Sequence, residues 1–194
     1  MTRKPFRPKV FMPILMAGFC MASLTPLSHP AYAALAEGAK APAFTLEGAL
    51  AGEKITFSLK EALSKGPVVL YFFPAAFTAG CTQEAHDFAA AAEQFKTEGA
   101  TLVGITAGNT DRVAEFSKVE CRDQFAVLAD PGAFTAVLYH SVNTGHQTLL
   151  SQRTSYVIAP DGTILLSFTS NNPEQHVTET LNALKKWNGN KVKK

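Results

Sequence analysis

Cysteine is scarce in this chain, with three residues in 194: Cys20, Cys81 and Cys121. No two of them form a Cys-x-x-Cys pair, since position 84 is Glu. The usual sequence mark of a dithiol–disulfide oxidoreductase is therefore missing. No His, Cys and Asp cluster has the spacing of metal ligands; His29 lies near the N-terminus, and His140, His146 and His176 read as scattered through loops. Neither a metal nor an organic cofactor is expected. Acids are absent before Glu37, and repeats and low-complexity blocks are absent after residue 34. Charged residues reach only 18% beside 46% hydrophobic ones, the balance of an ordinary globular chain of one domain.

What is present begins with a basic leader. Arg3, Lys4, Arg7 and Lys9 precede an apolar run from Val10 to Leu24, and Ala31-Tyr32-Ala33 follows. These are the three parts of a secretory signal peptide. The apolar run is shorter than the ~20 residues that a membrane span needs. Cleavage after Ala33 is expected, leaving residues 34–194 as the exported domain, periplasmic or secreted; the alternative is a retained N-terminal anchor. Ala17-Gly18-Phe19 before Cys20 does not resemble a lipoprotein signal. Cleavage removes four of the 18 basic residues and none of the 16 acids, turning a net charge of +2 into −2. The basic excess is a targeting device, so nucleic-acid binding is not expected. Stable membrane association after cleavage is not expected either. Two cysteines remain, and they are compatible with a structural bridge, a working redox pair or two unrelated thiols.

Along residues 34–194 the pattern alternates between strand and helix signals. Phe44–Leu46 and Ile55–Phe57 flank a turn at 51–54 and read as a hairpin. Residues 60–63 read as a short helix. Val68 to Phe73 is a continuous apolar run, expected to be a strand buried on both faces and ended by Pro74. Ala85, Phe88, Ala92 and Phe95 mark one helix from Cys81 to Glu98, and Thr101 to Thr106 is a second buried strand. Asp111 is expected to cap a short helix carrying Val113 and Phe116. A strand at 125–128, a helix at 133–139 and a polar loop at 141–152 follow. A hairpin at 156–166 turns at Pro160-Asp161-Gly162-Thr163, and Pro173 opens a last helix with Val177, Leu181 and Leu184 on one face. Together these elements describe an α/β, thioredoxin-like fold: a central mixed sheet flanked by helices, with an N-terminal β-hairpin extension.

Cys81 stands just past the carboxyl end of a buried strand, in the first turn of a helix. Ligands gather at that end of an α/β sheet, and a helix N-terminus favours a thiolate, the nucleophilic form. When such a sulfur attacks an O–O bond, charge builds on the leaving oxygen and needs preorganised donors. Thr78 can offer its hydroxyl, and Arg153 a permanently charged fork, because the strand at 155–158 is expected beside that at 68–73. Other readings stay open: an inert buried Cys81, Thr78 as a helix cap, Arg153 in a surface ion pair. Glu84 reads as a residue orienting Arg153 or as a solvated first-turn acid. His86 reads as a surface helix residue, while Phe72, Phe73 and Phe77 read as core, Phe77 also as a lining of the substrate mouth.

Pro74-x-x-x-Thr78-x-x-Cys81 resembles the active-site signature of the peroxiredoxins, the AhpC/TSA-like thiol peroxidases. The run from Arg153 to Ile164 is similar to the segment carrying that family's second catalytic residue, and Gly38 to Leu46 to its N-terminal start. Cys81-Thr-x-Glu-Ala85 looks most like the peroxiredoxin Q, or bacterioferritin-comigratory-protein, branch. The resemblance implies a thiol peroxidase acting on hydrogen peroxide and organic hydroperoxides in antioxidant defence. Cys81 would be peroxidatic, Thr78 would bind the peroxide, Arg153 would stabilise thiolate and transition state, and Pro74 would shield the site. It further implies a monomer recycled by an external, thioredoxin-like dithiol reductant. His86 occupies the position that often holds the resolving cysteine; Cys121 fits the variant in which the following helix carries it. The alternatives are an exported thioredoxin-like disulfide oxidoreductase and an exported copper-binding module. The first would want a thiol at position 84, the second two close cysteines with a histidine.

Overall fold

The computed structural model describes residues 34–143, 145 and 149–191. The expected leader, residues 1–33, and His146 lie outside these.

Seven strands form one mixed sheet. The N-terminal hairpin pairs β1 (Thr45–Leu50) with β2 (Glu53–Ser58). Ala51 and Gly52, both at positive φ, make the two-residue turn whose twist suits paired strands. The helix α1 (Leu59–Leu63) is capped by Ser58, whose Oγ accepts the Glu61 N–H. The remaining sheet strands are β3 (Val68–Ala75), β4 (Thr101–Gly108), β5 (Ala126–Ala129), β8 (Thr154–Ile158) and β9 (Ile164–Thr169). Their order is β2-β1-β5-β4-β3-β8-β9, so the hairpin extends one edge. The strands β3, β4 and β5 run parallel, and β8 is antiparallel to β3. A two-strand ladder, β6 (Val142–Asn143) with β7 (Leu150–Ser151), stands where a plain polar loop is expected from the sequence.

The period-two geometry of β3 divides the core in two. Val69, Tyr71 and Phe73 enter one apolar cluster, and Val68, Leu70 and Phe72 the other. The first cluster packs under α2 (Ala79–Ala90), α3 (Ala92–Thr97), α4 (Val113–Val119) and α6 (Pro173–Lys191), the second under α1 and α5 (Phe134–Leu138). Each fully buried aromatic ring contributes ~2–3 kcal/mol from its apolar area. Cys81 and Cys121 both belong to the first cluster.

Three local departures from the sequence reading have physical causes. The single helix expected over 81–98 is two, because the turn tightens at Ala91, whose N–H reaches both Asp87 and Phe88 carbonyls. Pro74 does not end its strand. Pairing between β3 and β8 stops at Phe72–Thr154, so the missing proline N–H falls where no ladder partner waits, and β3 runs on to pair Ala75 with Gly108. Asp111 is no cap: Asn109, in the left-handed region, precedes a 3-10 turn at Thr110–Arg112, and α4 begins only at Val113.

Candidate active site

The site is built where β3 delivers the chain into α2. Register does the first part: with Phe72 opposite Thr154, the residue before β8 lies beside the carboxyl end of β3. That residue is Arg153. Its Nη2 donates to Cys81 Sγ at 3.5 Å, and its Nη1 donates to Glu84 Oε2. Cys81 is 1% exposed, Glu84 0% and Arg153 9%. Arg153 is therefore no surface ion-pair partner and Glu84 no solvated acid. Gly80 leaves room for the fork, since a Cβ there would stand 3.2 Å from Nη2.

The preceding loop is pinned from β4. Thr106 Oγ1 lies 3.0 Å from the Gly108 carbonyl and 3.3 Å from the Pro74 carbonyl, with one hydrogen to give to either. The Ala76 N–H donates to the Gly108 carbonyl at 3.2 Å, and Asn109 Nδ2 donates to the Ala76 carbonyl at 2.7 Å. These bonds hold Phe77 at φ +63°, a strained conformation for an aromatic residue. Its half-buried ring lies edge-on to Phe116, centroids 5.1 Å apart, and Arg112 stacks over it at 3.8 Å. Thr78 occupies the N-cap position of α2, but its side chain makes no cap bond. Its hydroxyl donates instead to the Ala75 carbonyl at 3.1 Å. A hydroxyl that gives its hydrogen to Ala75 keeps lone pairs that can accept.

Electrostatics bind the cluster together. Burial alone would lower the Arg153 pKa, but Glu84 and the Cys81 sulfur outweigh it and raise the value. Glu84 is pushed up to about 8 by burial, against the charge and hydrogen bond of Arg153 and with a push from Asp87. Cys121 follows the end of α4, completely buried, and desolvation lifts its pKa well above the ordinary thiol range, with Glu120 adding. Both thiols are free. In the same cluster stands Tyr71, whose buried Oη has no hydrogen bond among the described residues. Burial raises its pKa first, followed by the charges of Cys121, Glu84 and Cys81.

His86 is half-exposed, and its Nε2 lies 2.7 Å from Glu120 Oε2, next to Cys121. His176 is not in a loop. It sits in α6, fully buried, with Nδ1 2.8 Å from Ser155 Oγ and 3.8 Å from Glu84 Oε1. A signal for it existed: His176, Thr180 and Leu184 recur every four residues beside Val177 and Leu181, on the stripe that faces inward. Among the described residues no three His, Cys, Asp or Glu converge as a metal site.

Known proteins are similar to this chain over most of its length. A profile of the AhpC/TSA family matches residues 38–167. A chloroplastic peroxiredoxin Q of Sedum lineare is 33% identical over 154 residues, 79% of this chain and 80% of that one. A putative peroxiredoxin bcp of Helicobacter pylori is 31% identical over 151 residues, covering 76% and 96%. The crystal structure of peroxidoxin BcpB from Mycobacterium tuberculosis superposes with a TM-score of 0.70 at 30% identity, covering 77% of this chain and 96% of its own. With the thioredoxin-like sheet, the family profile and these relatives in agreement, the chain belongs to the AhpC/TSA family and is a thiol peroxidase of the peroxiredoxin Q and bcp kind.

Proposed function

We propose that Cys81 is the peroxidatic residue and that Arg153 serves it directly. The supporting observation is the split fork: one terminal nitrogen on Glu84, the other 3.5 Å from Sγ. In the reaction, thiolate sulfur attacks the terminal oxygen of ROOH and the O–O bond breaks. Cys81 becomes a sulfenic acid, and RO⁻ leaves and takes a proton to become ROH. Thr78 accepts the O–H of the incoming hydroperoxide, because its own hydrogen is held by Ala75. Arg153 Nη2 faces the charge as it moves from sulfur to the leaving oxygen, a transition-state effect worth about 3–4 kcal/mol per donor. Pro74 and Phe77 close the approach beside the sulfur.

Cys121 resolves the sulfenic acid: its S–H condenses with Cys81 S–OH, forming the disulfide and releasing water. Its place at the end of α4, in the same apolar cluster as Cys81, supports this role. Burial keeps it a protonated thiol until that helix end and the first turn of α2 loosen. An external dithiol protein then reduces the bridge. The basic, apolar and Ala-x-Ala segments of residues 1–33 support export of the domain beginning at 34. A disulfide oxidoreductase reading is not favoured, because a buried Glu84 engaged with Arg153 stands where a second thiol is needed.

Peroxide consumption by the Cys81→Ser protein tests the assignment. It is expected to vanish, whereas retention of the wild-type rate would sink it.

A further inference from the structure

Behind the pair of Glu84 and Arg153 lies a buried layer that the reaction as written does not use. His176 from α6, Ser155 from β8 and Glu84 from α2 each have no exposed surface. The tautomer of His176 follows from its partners. Its Nε2 lies 2.9 Å from the Ser170 carbonyl, which only accepts, so the ring hydrogen is on Nε2. Burial first, and the Arg153 charge after it, lower the His176 pKa to about 4 against the Ser170 bond, so the ring is neutral at physiological pH. Nδ1 then carries a lone pair, and Ser155 Oγ donates to it across 2.8 Å. Phe168 packs edge-on against the ring, centroids 5.0 Å apart. Three contacts thus fix the imidazole in position and in orientation.

Glu84 meets this fixed ring with the oxygen that Arg153 leaves unused. Oε1 is buried, makes no hydrogen bond, and lies 3.8 Å from His176 Nδ1. A buried carboxyl oxygen without a donor costs free energy, and it turns toward any water that reaches it. The imidazole edge, packed 3.8 Å from Oε1, closes that route by occupying the space. A Glu84 that rotates would take Nη1 of Arg153 with it and swing Nη2 away from sulfur.

We propose that His176, held by Ser155, is a positioning residue for the peroxidase reaction: its Nδ1 edge backs Glu84 Oε1, fixes the carboxyl plane, and so directs Arg153 Nη2 onto Cys81. His176 touches neither sulfur nor peroxide and acts only through Glu84 and Arg153. The proposal rests on the reading that Arg153 assists Cys81.

The test compares reduced His176→Gln, His176→Asn and Ser155→Ala proteins in two reactions at Cys81, with hydrogen peroxide and with iodoacetamide. Glutamine keeps a donor for Ser170 but loses the Nδ1 acceptor, whereas asparagine keeps the acceptor. Peroxide needs an oriented Arg153 and iodoacetamide has no O–O bond to break. The expected result is a fall of about tenfold or more in the peroxide rate for His176→Gln and Ser155→Ala, against less than about threefold with iodoacetamide. His176→Asn should recover to within about threefold of wild type. Wild-type peroxide rates in all three folded variants would overturn the proposal. So would equal losses in both reactions, or rescue by glutamine in place of asparagine, which would mark a merely structural role for the ring. Failure of the underlying reading shows itself separately, as a wild-type peroxide rate in Arg153→Lys.

Discussion

His86 Nε2 donates to Glu120 Oε2 across 2.7 Å, and the residue after Glu120 is Cys121. The contact ties α2, which carries Cys81, to the end of α4, beyond which Cys121 lies buried. Five residues after Cys81, this chain has a side chain that contacts the segment carrying Cys121. If Cys121 resolves Cys81 as proposed, it has to leave its buried position, and disulfide formation would work against this contact.

His86→Ala is expected to speed conversion of the Cys81 sulfenic acid to the disulfide. A partly exposed pair of this kind contributes ~1 kcal/mol or less, so the gain is up to about fivefold. Rapid-quench mass spectrometry after a peroxide pulse follows it directly, together with a smaller fraction of over-oxidised Cys81. A slower disulfide step in the variant would show that the contact guides Cys121 rather than restraining it.

Arg153→Lys retains a charge but loses the fork, and one ammonium cannot reach both Glu84 and Cys81 in the present geometry. The second-order rate with hydrogen peroxide should fall by about 10²–10³. Stopped-flow measurement on the reduced protein gives this number. A loss under threefold would remove Arg153 from the chemistry.

Gly80→Ala separates stability from catalysis. Within a helix, alanine is better than glycine by ~1 kcal/mol, but its Cβ would stand 3.2 Å from Arg153 Nη2 and press the guanidinium away from the sulfur. The expected outcome is an unchanged or raised Tm with peroxide turnover reduced severalfold. Thermal melts and initial rates on one preparation check both halves.

The two buried titrating groups behind the sulfur give stability a defined pH profile. Glu84 has its folded pKa raised from 4.5 to about 8, so its contribution is present below 4.5 and is lost as pH rises toward 8. His176 is lowered from 6.5 to about 4, so its contribution is present above 6.5 and is lost as pH falls toward 4. Between 4.5 and 6.5 the two slopes oppose each other, and above 6.5 only the loss from Glu84 remains. Urea unfolding of the reduced protein should therefore show stability declining from pH 6.5 to 8. Glu84→Gln should flatten that decline, and His176→Gln should leave it intact.

Much of this architecture is legible in the sequence because it is repetitive. The run Val68–Phe73 announces a doubly buried strand, the hairpin turns carry Gly52 and Gly162, and the register of β3 and β8 brings Arg153 beside Cys81. What escapes is set by tertiary contacts that leave no periodic trace. Glu84 is ambiguous until Arg153 arrives from 69 residues away. The bond from the Thr78 hydroxyl to the Ala75 carbonyl, on which the proposed acceptor role rests, has no sequence signal. His176 looks like a stray polar residue, although its place on the inward stripe of α6 marks it as buried. The continuation of β3 through Pro74 depends on where β8 stops pairing, which no local pattern records.

The most direct test of the central claim is intact mass and peptide mapping of the reduced domain, residues 34–194, after one equivalent of hydrogen peroxide. Rapid loss of two hydrogens is expected, with the Cys81 peptide joined to the Cys121 peptide. An unchanged mass after minutes, or oxidation of Cys121 while Cys81 remains a free thiol, would contradict it.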